Sequence, residues 1–296
     1  MLYIANKKVD NRIAKMTEKK KTKVDEILEK SGHGFHSRVV KLLRDQKWPV
    51  LVSPYYSDNF TDKPREIDVI AERRYEVNET FGSWLGNVNI RLFIECKYIS
   101  GDTVFWFDNK DEIRARERVI KDIDLSDERN LVAQGYHHLD AIPVAKLFTS
   151  EKGREDNEWI SKAINQNLNA LVYYRNRSGL FPDNPRMRSQ LLRRVSYPII
   201  VVNSSDHFYR MDMNNPDMTP EKISEPFQLE VNYAYVDDKG VSQNEYFLID
   251  VVSIDVLPDF LSKLESRDIG SLIEKLRWDT RMNTDRRQNF RDDLTM

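Results

Sequence analysis

The chain reads as an α/β protein, in which strand-length apolar runs alternate with helix-forming segments, and two observations carry this reading. Runs rich in Ile, Val, Phe and Tyr occur at residues 50–55, 65–71, 91–99 and 197–203, each of strand length. Around them lie segments whose apolar residues recur at helical spacing, Phe35, Val39, Leu42 and Leu43 in one and Trp159, Ala163, Ala170 and Tyr173 in another. At 296 residues the chain can bury a full core, as one elaborated domain or as two.

Taken in order, residues 1–31 form a charged, helix-favouring segment in which lysines outnumber acids. It is either a solvated peripheral helix or a basic arm that touches phosphates. Ser31-Gly32-His33-Gly34 breaks that pattern, and the stripe from Phe35 to Leu43 predicts a helix lying on a sheet and ending before Trp48-Pro49. The run at 50–55 follows as a strand, and Ser57 to Pro64, rich in Asp, Asn and Pro, as a loop.

The next two strands carry charge where charge is expensive. In Arg65-Glu66-Ile67-Asp68-Val69-Ile70-Ala71, strict alternation places Glu66 and Asp68 on one face and Ile67, Val69 and Ala71 on the other. In Arg91-Leu92-Phe93-Ile94-Glu95-Cys96-Lys97-Tyr98-Ile99 it places Glu95 and Lys97 together, opposite Ile94, Cys96 and Tyr98. Burying such groups costs several kcal/mol unless they pair or hold a metal, roughly speaking. A connection holding Gly82 and Gly86 makes the two strands hairpin neighbours.

An Asp in an apolar strand, then a strand reading apolar-apolar-Glu-x-Lys, in the order helix, three strands, helix, strand, resembles the PD-(D/E)XK nuclease superfamily, the restriction-endonuclease-like fold. The matching residues are Asp68, Glu95 and Lys97. The resemblance implies a central mixed sheet flanked by helices over about residues 32–266, with an insertion at about 100–157 and C-terminal additions at 267–296. It also implies a metal-dependent nuclease. Asp68 and Glu95 would hold Mg2+ or Mn2+ through oxygen, the Cys96 carbonyl would offer a third ligand, and Lys97 would orient the attacking water. Many members carry a Glu on the first helix, where this chain has His36, either a ligand or a hydrogen-bonded histidine. Gln166 resembles the Gln or Lys that members place on the helix after the Glu-x-Lys strand, its alternative being a core glutamine satisfied by backbone groups. DNA is the expected substrate, with restriction and phage defence among the family's roles. The alternative is an inactive nucleic-acid-binding module, or a multimeric scaffold, of the same fold.

Composition sets limits on these readings. The formal net charge is -2, from 46 basic and 48 acidic side chains, so any polyanion site must be local. Residues 175–194 supply one candidate, with Arg175, Arg177, Arg186, Arg188, Arg193 and Arg194 against the single acid Asp183. Arginine meets phosphate with a planar fork, and Tyr173 and Phe181 add stacking surfaces; the alternative is a loop paired with acids elsewhere. Cys96 is the only cysteine, which excludes an internal disulfide and fits a reducing, cytoplasmic setting. No apolar run approaches the roughly 20 residues of a membrane span, so no membrane partner is expected. A homo-oligomer or a regulatory partner protein is compatible with the long additions.

The remaining elements are plainer. Residues 103–107 predict a strand, 110–124 a charged, solvated helix, and 131–148 a helix over the core. On that helix the adjacent His137 and His138 would diverge, which argues against one shared metal. Residues 227–236 and 246–256 predict two strands turned by Asp237-Asp238-Lys239-Gly240. Asp250 in the second mimics the Asp68 context without a following Glu-x-Lys strand. Two helices, 258–264 and 269–278, and a charged tail close the chain. A phosphate-binding GxxxxGK[ST] loop, Cys/His zinc spacing and a dinucleotide glycine pattern are all missing, so neither a nucleotide cofactor nor structural zinc is expected from motifs.

Overall fold

A computed structural model describes residues 23, 32–78, 84–123, 135–140, 142–150, 158–175, 180, 192–237 and 239–292. The N-terminal segment thus falls almost wholly outside the described residues. Helix α1 (His33–Asp45) leads into β1 (Val50–Val52), β2 (Tyr55–Ser57), β3 (Pro64–Glu66), β4 (Val69–Asn78) and β5 (Trp84–Lys97). Then come β6 (Thr103–Asp108), α2 (Glu112–Ile123), a 3-10 turn (His137–Leu139), β7 (Val144–Ser150), α3 (Glu158–Arg175) and β8 (Leu192–Val202). The chain closes with β9 (Phe208–Asp212), β10 (Glu221–Lys222), β11 (Phe227–Val236), β12 (Ser242–Ser253) and α4 (Leu257–Asp292).

Ten strands form one mixed sheet in the order β1-β4-β5-β8-β12-β11-β7-β6-β9-β10. β4 and β5 pair antiparallel, and β8 runs parallel both to β5 and to β12. A parallel neighbour needs a crossover, and α3 supplies it between β5 and β8. The sheet is covered on both faces. Phe35, Val39 and Leu43 of α1 and Leu261 and Leu264 of α4 meet Leu92, Ile94 and Ile199 on one side. Ile160, Ala163 and Leu171 of α3 meet Phe93, Ile200 and Phe247 on the other. Each fully buried aliphatic of this kind contributes roughly 1.5–3 kcal/mol, so the central strands are the rigid part on which a site can be built.

Five details depart from the sequence reading. The run at 50–55 is split, because Ser53 takes a positive φ of 52° ahead of Pro54; β2 leaves the main sheet to pair with β3. Residues 65–71 are likewise not one strand: β3 ends at Glu66 and β4 begins at Val69. The region read as an insertion is continuous with the sheet, since β6 and β7 join it beside β9 and β11. No helix spans 142–148: Pro143 cannot continue one and biases its predecessor toward extended backbone, so the chain enters β7 instead. Finally, α4 is one helix of 36 residues through the boundary drawn at 266/267. Leu257, Leu261, Leu264, Leu272 and Leu276 keep one buried face across Gly270, and that packing outweighs the roughly 1 kcal/mol a mid-helix glycine costs. No described helix is long and apolar enough to cross a membrane.

Candidate functional site

Asp68 sits at the bend between β3 and β4, and its backbone is fixed before its side chain is used. Its carbonyl accepts the Ser53 N–H at 2.8 Å and the His36 Nε2–H at 3.0 Å. A carbonyl cannot donate, so His36 Nε2 carries the proton in this contact. His36 therefore reaches the site through the backbone, bracing the bend.

That bend lets two acids cap each other's strand. Beyond the last β4 pairing, the Cys96 N–H donates to Asp68 Oδ2 at 2.7 Å, and the Asp68 N–H donates to Glu95 Oε1 at 3.3 Å. Cys96 thus meets the site by its main chain, while its side chain packs in the apolar cluster on the opposite face, where burial pushes its thiol well up. The bend also breaks the expected alternation. Ile67 packs with Ile70 on the α3 side, whereas Val69 and Ala71 face α1 and α4. Tyr98, past the end of β5, is exposed rather than packed.

Glu95 is fully buried. Lys97 Nζ lies 2.8 Å from Glu95 Oε2 and 3.4 Å from Gln166 Oε1, with the Lys97 side chain 18% exposed. Gln166 on α3 in turn donates its amide to the Glu66 carbonyl at 3.1 Å, tying the helix to β3. Burial, then the Asp68 charge, push the Glu95 carboxyl up to about 7, against the pull of Lys97. Two carboxylates provide hard oxygen donors, and Asp68 Oδ1 takes no hydrogen bond among the described residues. This donor set fits a divalent cation such as Mg2+ or Mn2+. Bringing one to the pair would also relieve the repulsion between Asp68 and Glu95.

The cluster adjoins a groove of about 690 Å3 that Gln166 lines together with Tyr56, Phe60, Arg65, Lys162 and Asn169. Tyr56 OH donates to the Gln166 carbonyl at 3.2 Å, which joins the groove wall to the same helix turn. Asp58, 3.4 Å from Arg65, lines it too, and of its aromatic residues Phe60 is exposed while Tyr56 is buried.

The arginine segment is placed only in part. Arg175 is committed elsewhere: Nη1 and Nη2 each lie 3.0 Å from a Glu245 oxygen. Glu245 also accepts from Arg118, Lys121 and Tyr235. Arg175 is therefore part of a structural network, not a phosphate contact, and α2 turns Arg118 inward rather than being solvated all round. Arg194 Nη1 donates to the Arg175 carbonyl at 3.4 Å. Arg177, Arg186, Arg188 and the side chain of Arg193 lie outside the described residues.

One constellation was missed by sequence reasoning. His137 Nε2 lies 2.8 Å from Asp250 Oδ1 and His138 Nε2 lies 3.4 Å from Asp250 Oδ2. The expected divergence of adjacent histidines assumed an α-helix, and in the tight 3-10 turn both rings reach one carboxylate. The charged residue inside an apolar strand, Asp250, was the available signal.

No protein-family model, no curated protein and no solved structure matches this chain.

Proposed function

We propose that the protein is a metal-dependent phosphodiesterase acting on nucleic acid, DNA in the first instance, with Asp68, Glu95 and Lys97 as its reacting centre. The observation that carries this is the cluster itself: a braced Asp68, a fully buried Glu95 and a partly exposed Lys97 2.8 Å from it. A fully buried acid at a strand end is costly as pure scaffold, so an arrangement that holds one beside Lys97 and Gln166, next to a groove, calls for a ligand. The order α1, β1, β4, β5, α3, β8, with β4 antiparallel and β8 parallel to β5, supports assigning this part to a restriction-endonuclease-like core.

Asp68 and Glu95 would hold the cation, which when bound supplies positive charge to the scissile phosphate and a more acidic water. Lys97 orients that water and steadies charge developing on the phosphate oxygens. Gln166 holds the Lys97 ammonium in place, and His36 holds the bend that aims Asp68. The groove seats the strand, Arg65 and Lys162 meeting phosphates and the exposed Phe60 offering a face to bases.

A second reading has its own observation. Lys97 already neutralises Glu95, so the trio can serve as a salt-bridge cluster in a binding module of the same fold. Incubation of the purified protein with plasmid, linear duplex, single strands and RNA, in Mg2+, Mn2+ or EDTA, separates the two. The proposal expects cleavage of at least one substrate that EDTA stops; binding without cleavage in every metal would leave the module.

A further inference from the structure

A second cluster of ligating groups lies on the other side of the sheet and rests on none of the residues of the first. Glu95 is level with Ile200 of β8, and Ile200 with Val251 of β12. Asp250 is one residue out of step with that row, so its side chain leaves the sheet toward α4, opposite to Glu95.

The 3-10 turn that brings the two histidines to Asp250 is pinned from both sides. Lys110 donates to the His138 carbonyl at 3.1 Å and to the Asp140 carbonyl at 2.7 Å. The His137 N–H donates to Asp268 Oδ1 at 3.0 Å. The rings are wedged edge-on, His138 against Tyr197 at 5.0 Å and His137 against Phe260 at 5.3 Å between centroids.

Protein hydrogen bonds alone do not satisfy this cluster. The Gln228 side-chain nitrogen lies 3.3 Å from both His137 Nε2 and Asp250 Oδ1. If His137 Nε2 carries a proton, it and the Gln228 amide crowd onto the same Asp250 oxygen; if it does not, two acceptors stand 2.8 Å apart with nothing between them. Gln228 is buried, and its Oε1 has no hydrogen-bond partner among the described residues. A cation accepting lone pairs from the imidazoles and the carboxylate removes the conflict, and rotation of the Gln228 amide would then bring its oxygen toward the same ion. The three residues' ligand atoms lie within 4.8 Å of one another. The 2.8 Å from His137 Nε2 to Oδ1 and the 3.4 Å from His138 Nε2 to Oδ2 of Asp250 are on the scale of the roughly 3.3 Å between ligands on a tetrahedron with bonds of about 2.0–2.1 Å.

We infer that His137 Nε2, His138 Nε2 and Asp250 bind a zinc-class divalent ion, with a remaining position open to solvent. Two imidazoles select a borderline transition metal over Mg2+ or Ca2+. The open position faces a cavity of about 280 Å3 that His137, Gln228, Phe260, Lys263 and Arg267 line. Three protein ligands plus an open position is the arrangement of a reactive rather than a purely structural zinc site.

The test is Co2+ titration of the full chain, stripped with EDTA and then freed of chelator, in wild type and in a Glu95→Gln background that takes the first cluster out of play. Both proteins should bind one equivalent of Co2+ with the visible absorption of a low-coordinate ion, displaced by one equivalent of Zn2+. His137→Gln and Asp250→Asn should each weaken it at least tenfold while the far-ultraviolet circular dichroism is kept. Absence of the band in folded wild type, or unchanged affinity in His137→Gln, would overturn the assignment. Should the variants not fold, X-ray absorption of the Zn2+-loaded wild type decides: two imidazole ligands are expected, and none would contradict it.

Discussion

Lys97 Nζ lies 2.8 Å from Oε2 of Glu95, two residues back on the same face of β5. Alternation alone would put these side chains side by side. What makes the pair consequential is the difference in their surroundings: Glu95 is sealed under α3, and Lys97 reaches the groove through Gln166. The acid is therefore held where its charge is costly, and the cation where a substrate can meet it.

The first prediction follows from the Glu95 carboxyl, raised from 4.5 to about 7 by burial and by Asp68. Between those values the folded protein holds a proton that the unfolded chain releases. The group's contribution to stability is therefore complete below pH 4.5 and is lost as pH rises through about 7, by on the order of 3 kcal/mol. Asp268, also raised to about 7 by burial, acts in the same direction. The quantity to measure is thus the difference between wild type and Glu95→Gln in urea unfolding across pH 4.5 to 8 without metal. Parallel curves would remove the buried-acid assignment.

A second prediction concerns scaffold alone. Arg91 is fully buried, with Nε 2.6 Å from Glu72 Oε2, and Asn89 donates to the other Glu72 oxygen at 2.9 Å. Glu72→Ala strands the guanidinium and should cost about 3–5 kcal/mol, read as a lowered urea midpoint. The paired replacement Glu72→Met with Arg91→Met should recover most of the loss.

A third prediction separates the groove from the arginine segment by salt dependence. Arg65→Glu and Lys162→Glu should each reduce the slope of log affinity against log salt on duplex DNA by roughly 0.9. Arg175→Gln should lower thermal stability and leave that slope unchanged, because its guanidinium is spent on Glu245. A fall in slope for Arg175→Gln would return that residue to the nucleic-acid surface.

Periodicity made the framework legible. The spacing of Phe35, Val39 and Leu43, the apolar β5 and β8 runs and the Trp159 stripe located α1, β5, β8 and α3, since each is decided by neighbours a few residues away. The pairing of Glu95 with Lys97 was legible for the same reason. Three features depend on tertiary partners and were not. The bend at Asp68 is set by His36 and Ser53, so local alternation wrongly put Ile67 with Val69. Arg175 looked free because Glu245, 70 residues distant, cannot be assigned to it from sequence. His137 and His138 appeared to diverge because a helix was assumed across Pro143, and Asp250 then lacked the partners that explain it.

The proposed chemistry is tested most directly by one comparison of rates: nucleic-acid cleavage by wild type and by Glu95→Gln, in Mn2+, at equal concentration of folded protein. Glu95→Gln keeps the shape and removes the charge that would hold the cation. A loss of at least about 100-fold is expected, the scale of removing a group that acts at the reacting phosphate, with the circular dichroism of the fold retained. Cleavage by Glu95→Gln at the wild-type rate would contradict the assignment of Asp68, Glu95 and Lys97 as the reacting centre.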